Sequence, residues 1–286
     1  MFMKVLTDIF FYLGMGLYLL APVLAIRFLR GSNGSLLPAT RLALGGALLV
    51  VLSFLLRWFT WGRLPVTPFD ALNLFILLST LIMVLVTQPE PMRALQCFYL
   101  PALAIMCLIN VGVALRYLNV APKELPVTLR GLPLTIHIGL IYLAYALFFV
   151  ASMTSVAYVF QSQRLKRRQT SGLFHQLPSL EQLDRTLYRL ISYGYPFFVI
   201  TMLIGIFWAW AEPKLLGEQW WLSPKIILSA VMVAFYSVSF HTRRFGLLRG
   251  RKLAYFVFFG FTSLLATSIV LALLNLSTYN FWGKPS

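Results

Sequence analysis

Eight stretches of this chain, at about 8–29, 39–60, 69–87, 94–116, 132–160, 191–211, 224–242 and 253–277, are densely apolar and nearly free of charge. No other feature constrains its fold so tightly. A helix rises about 1.5 Å per residue, so about 20 apolar residues cross the hydrocarbon core of a bilayer. Charged residues make up 11% of the chain, where a soluble domain carries about a quarter. The eight runs leave little of the 286 residues over. The expected fold is therefore all-α: a polytopic bundle of about eight transmembrane helices, forming a single integral membrane domain over 1–286. The first run is too long for a signal-peptide core and lacks a small-residue cleavage site, so it reads as a retained helix.

Charge gives the bundle a direction. Number the loops between the spans: loops 1, 3, 5 and 7 hold 15 of the 24 lysines and arginines, and the remaining 9 lie on the other side with both termini. The positive-inside rule places the first set in the cytoplasm and both termini outside, as expected of a multi-pass protein of a bacterial inner membrane. Because the basic clusters flank spans, anionic lipid suffices as their partner and no nucleic-acid binding is expected. With this orientation all seven tryptophans, Trp58, Trp61, Trp208, Trp210, Trp220, Trp221 and Trp282, fall at the outer end. One reading is a lopsided interfacial belt. The other is an outer aromatic platform, suited with its nearby cations to a large planar anionic ligand.

The longest polar segment, 161–190, opens with Arg164, Lys166, Arg167 and Arg168 at the end of the fifth span, where cations complement the helix dipole. Ser179 and Gln182 have capping-box spacing, and Leu180, Leu183, Leu187 and Leu190 repeat at helical intervals. The segment 179–190 is expected to be a short amphipathic helix at the inner interface. The sequence holds no phosphate loop, HExxH, GxSxG or carboxylate pair placed for acid–base work, so hydrolysis and nucleotide binding are not expected. Cys97 and Cys107 lie ten residues apart on one predicted helix. That separation is about 15 Å, beyond disulfide reach, which excludes thiol–disulfide chemistry by this chain alone.

Three histidines remain. His175 lies in the cytoplasmic loop, His137 near the outer start of span five, and His241 at the inner end of span seven. Each reads either as a hydrogen-bonded interface residue or as a functional group, since imidazole in a span is costly and is a common haem-iron ligand. Pro224 to His241 is 17 residues, about 26 Å of helix. His137 and His241 therefore cannot share one iron, and if both bind haem there are two sites at different depths.

Several short elements occur in a particular order. Leu183-Asp184, Tyr188-Arg189, Gly194, Pro196, Gly205 and Trp208-Ala209 lead to Pro224-Lys225, then to His241-Thr242-Arg243 and Arg249-Gly250-Arg251. Upstream stand Arg57-Trp58, Gly62-Arg63-Leu64-Pro65 and Asp70, and His137 sits in LPLTIHIGLIYLAYALF. In this order and spacing the chain resembles the cytochrome c assembly (CcsA/ResC/CcmC-type) haem-handling family over most of its length. The resemblance implies eight or so helices that carry haem to the outer face. There a tryptophan-rich loop flanked by two histidines presents it to apocytochrome cysteines, and an embedded histidine pair holds an inner haem.

The resemblance is incomplete. Against the family's approximate WxWDPK, this chain has Trp220-Trp221-Leu222-Ser223-Pro224-Lys225. Ser277 stands where the second outer histidine is expected, and no histidine precedes His137, so His241 lacks its expected partner. A HemX-like branch of the superfamily has the same plan with a degenerate tryptophan motif. This chain is similar to it at Gly62-Arg63-Leu64-Pro65 and at Asn280-Phe281-Trp282. That branch is associated with control or assembly steps in haem metabolism.

The expected site residues follow from the resemblance. His137 is an outer axial ligand, and Trp208, Trp210, Trp220 and Trp221 form the platform. Lys225, Arg57 or Arg63 meets the propionates, with Asp70 in the same element as the arginines. His241 serves an inner haem on five-coordinate iron. The expected partners are lipid, haem, and another membrane protein of cytochrome maturation or haem synthesis. The alternative is a non-catalytic regulator or scaffold; a secondary transporter lacks the internal repeat and paired broken helices it would need.

Overall fold

The computed structural model describes residues 2–29, 35–61, 67–119, 132–168, 176–211, 220–222, 224–246 and 248–273. They form eight long helices: α1 (Phe2–Leu29), α2 (Leu37–Trp61), α3 (Pro68–Thr87), α4 (Gln96–Tyr117), α5 (Leu132–Lys166), α6 (Leu180–Ala211), α7 (Pro224–Phe245) and α8 (Arg251–Leu273). Each overlaps one of the eight expected spans. Among the described residues, six are long and apolar enough to cross a membrane, and α7 contributes a shorter apolar stretch, Ile226–Thr242. The chain is an all-α, multi-pass membrane protein. The amphipathic stretch from Leu180 is not a separate helix: it is the opening of α6, which runs unbroken to Ala211.

The helices fall into two compact units, one holding α1–α4 with the end of α5, the other holding α5 as far as Val159 with α6–α8. In the first unit α1 and α2 pack along a seam of small residues. The buried positions of α2 (Ala39, Ala43, Gly46, Val50, Ser53 and Arg57) alternate in steps of four and three, the spacing that holds one face toward a partner helix. A Cβ placed on Gly46 would lie 2.8 Å from the Gly14 carbonyl oxygen, so the two backbones touch where neither has a side chain.

Helix α3 is the polar hub of this unit. Its start is fixed by Pro68 in the first turn and by a capping box between Thr67 and Asp70. The Thr67 amide donates to Asp70 Oδ2 at 2.9 Å and the Asp70 amide to Thr67 Oγ1 at 3.3 Å. Along the same stripe Asn73 Oδ1 accepts from Asn110 Nδ2 of α4 at 2.7 Å. Thr80 pairs with the Tyr18 hydroxyl of α1 at 2.8 Å. Thr87 accepts from Gln96 Nε2 at 3.0 Å, and Thr40 of α2 donates to Gln96 Oε1 at 2.8 Å. In lipid such groups must find partners on neighbouring helices. Cys97 and Cys107 are both buried and free, and the Cys97 thiol donates to the Ala25 carbonyl.

Aromatic rings knit the second unit together. Contacts of α6 with α5 and with α7 run in opposite chain directions, so α5 and α7 are parallel and α6 is antiparallel to both. Between α7 and α8 the chain turns on Gly246 and Gly250, at φ +66° and +58°. Glycine, having no Cβ, takes these values at no steric cost. The Thr242 hydroxyl accepts from the Leu248 amide at 3.1 Å and closes the turn.

Candidate functional site

The two histidines within the described helices stand at different levels of the second unit. His137 lies in the second turn of α5 and is half-buried. Its ring faces Trp208 of α6 at 5.5 Å between centroids, tilted 49°. Gly205, one turn before Trp208, also borders the ring: a Cβ there would make ordinary contact with His137 Cε1 at 3.5 Å.

His241 lies in the last turns of α7. Its Nδ1 is 2.9 Å from the Ser237 carbonyl oxygen, with Ser237 Oγ at 3.3 Å. A carbonyl can only accept, so this contact makes Nδ1 the protonated nitrogen and leaves the Nε2 lone pair available. A hydrogen bond of this kind orients the imidazole of metal-ligating histidines. Tyr195 of α6, Phe240 and Phe245 surround the ring, with centroids at 6.3, 4.9 and 6.0 Å.

Between the histidines the interior is filled by rings. Phe148 of α5 and Tyr236 of α7 stack face to face, 3.6 Å apart and within 6° of parallel. Phe198 of α6 closes against both in edge contacts at 5.9 and 6.5 Å. Along α5, Phe148 is 11 residues from His137, about 16 Å; along α7, Tyr236 is 5 residues from His241, about 8 Å. Since α5 and α7 are parallel, the stack lies between the two histidines.

Trp208 and Trp210 do not share a face of α6. Trp208 meets His137, whereas Trp210 is 70% exposed beside Phe207. Two residues apart on a helix means nearly opposite faces. Trp221 is exposed in a short 3-10 turn, Trp220–Leu222. The side chains of Trp220 and Lys225, and residues Arg63, His175, Ser277 and Trp282, lie outside what the structure describes.

Arg57 and Asp70 belong to the first unit and bind each other. Arg57 Nε donates to Asp70 Oδ1 at 3.1 Å, with the side chains 1% and 3% exposed. Arg57 Nη1 donates to the Leu118 carbonyl at the end of α4, and the guanidinium lies over Phe69 at 5.5 Å. Arg57, expected to meet propionates, here joins α2, α3 and α4. The Phe148–Tyr236 stack and the Ser237 bond to His241 escaped sequence reading. Gly194, against which Phe148 packs so closely that a Cβ would lie 2.7 Å from its ring, was visible only as a family element.

The family model described as "Cytochrome C assembly protein" matches residues 66–276. Protein HemX of Brevibacillus brevis is 34% identical over 107 residues, which cover 37% of this chain and 38% of that protein. Protein HemX of Bacillus subtilis (strain 168) is 29% identical over 121 residues, covering 42% and 43%. The match therefore spans about two fifths of either HemX protein. Cytochrome c biogenesis protein CcsA of Synechococcus sp. (strain CC9605) is 26% identical over 289 residues, covering 93% of this chain and 94% of that protein.

Proposed function

Because the chain belongs to the cytochrome c assembly protein family, we propose that it binds haem and moves or presents it toward an outer aromatic site during cytochrome c biogenesis. As a multi-pass helical protein it resides in the bacterial inner membrane. The observation that carries the proposal is the placement of His137 against Trp208 on the facing helix. An imidazole beside an indole face suits a large planar ligand with a metal centre.

Haem would supply an iron that accepts an imidazole nitrogen and a broad apolar face for stacking. The residues fit these demands. His241 holds a lone pair on Nε2 because Nδ1 is bonded to Ser237, and Trp208 offers a ring beside His137. His137 serves the outer site with Trp208; Trp221, Trp220 and Lys225 follow on the segment entering α7. Arg57 and Asp70 act through the architecture of the first unit, and no enzymatic step is assigned.

The test is an absorption spectrum of the full chain purified in mild detergent with haem supplied. The proposal expects a Soret band that His137→Ala weakens severalfold and His175→Ala leaves intact. Absence of the band in the unmodified protein would overturn it. A second reading, a non-catalytic membrane regulator or scaffold, is favoured by the 34% identity to a HemX segment and by Leu222, Ser223 and Ser277 at the motif positions. It expects a membrane protein of haem synthesis or cytochrome maturation to co-purify in fixed ratio, with folding indifferent to haem.

A further inference from the structure

Hydroxyls inside a membrane helix ordinarily donate to a carbonyl of their own preceding turn. Thr154 and Ser155 of α5 do so at 2.7 and 3.0 Å, and Thr262 and Ser268 of α8 at 3.1 and 2.9 Å. Five others in the same unit do not. The hydroxyls of Ser152 of α5, Ser192 and Thr201 of α6, and Tyr236 and Ser239 of α7 are buried and have no hydrogen-bond partner among the described residues. They come from the three helices whose rings meet at the Phe148–Tyr236 stack, and Ser152 and Ser239 each lie one helical turn from it. An orphaned buried hydroxyl is costly, and a close-packed interior that leaves five of them has not satisfied its own polar groups.

The stack also closes the interior at a level between the two histidines. Two parallel rings can slide past one another in plane. Phe148 occupies the space that Gly194 leaves by having no Cβ. We propose that the Phe148–Tyr236 stack is a gate inside the α5–α6–α7 bundle, closed in this structure. In this proposal, which rests on the haem reading, its opening admits a planar amphipathic guest passing between the His241 and His137 levels. In the open state the guest's faces meet the separated rings, and its polar edge or accompanying water takes up the hydroxyls of Ser152, Tyr236 and Ser239. The closed state excludes both.

The gate can be read with and without haem. Take the full chain with Cys97→Ala and Cys107→Ala, add Ser239→Cys as reporter, and follow labelling by N-ethylmaleimide in detergent. Tyr236→Phe keeps the ring and removes an unpaired hydroxyl, so it is expected to raise the melting temperature and slow labelling about fivefold or more. Phe148→Ala is expected to speed labelling by a similar factor. Labelling that ignores both substitutions, or a lower melting temperature in Tyr236→Phe, overturns the gate. With haem supplied, the spectra of His137→Ala and His241→Ala variants define the two sites. Tyr236→Phe should then leave equilibrium binding unchanged and slow exchange between them. Labelling that responds in a protein that never shows a Soret band keeps the gate and removes haem as its guest; a Soret band with unresponsive labelling does the reverse.

Discussion

Arg57 shows how one side chain can be read correctly for its chemistry and wrongly for its target. Among the described residues the bidentate cation it offers meets Asp70 and the Leu118 carbonyl, inside the protein. Removing one partner of a buried ion pair strands the other charge, which costs about 3–5 kcal/mol. Arg57→Ala is therefore expected to lower resistance to unfolding by about that amount, measured by thermal or denaturant titration in detergent. Asp70→Asn should cost a similar amount, since it strands the buried guanidinium and replaces one of two accepting oxygens by an amino group. If Arg57→Ala instead left stability intact and abolished haem binding, the arginine would belong to the ligand after all. Trp210 teaches a related lesson. Grouping it with Trp208 followed their closeness in sequence, although 100° per residue already places them on opposite faces. The bond from His241 to Ser237 was within reach, being a contact four residues back on the same helix. The meeting of His137 with Trp208 was not, because only the packing of α5 on α6 creates it.

Helices were the most legible level of this protein, because a span is a property summed over twenty residues and tolerates error at each one. Eight helices overlap the eight expected runs, six of them long and apolar enough among the described residues to cross a membrane, and their ends differ for physical reasons. Helix α1 begins at Phe2 and α5 continues to Lys166, since backbone hydrogen bonding does not stop where apolar sequence does. At 35 residues, α5 is about 50 Å long, well beyond the hydrocarbon core. The α1–α2 seam gives a direct test. Gly46→Leu would drive a Cβ to 2.8 Å from the Gly14 carbonyl oxygen, while a Cβ at Gly45 would meet only the flexible end of Leu17 at 3.4 Å. Gly46→Leu is expected to cost about 1–3 kcal/mol or more and Gly45→Leu much less. Paired melting curves on the two variants check this; equal losses would show that the backbone contact is unimportant.

At the scale of the molecule, membership in the cytochrome c assembly family was readable because its elements are short, ordered and widely spaced. The division into two compact units was not. A mean of apolar character says nothing about which helices share partners, and hydrogen bonds as distant in sequence as Tyr18 with Thr80 decide that. In the first unit those bonds converge on α3, which has a separate engagement with each of α1, α2 and α4. This has a mechanical consequence. A tether pulling α1 out of a bilayer would withdraw the Tyr18 hydroxyl from Thr80 and at once loosen the helix that holds α2 and α4. Force spectroscopy should therefore record these four helices leaving in a single rupture, whereas a hub-less chain of hairpins would come out in two.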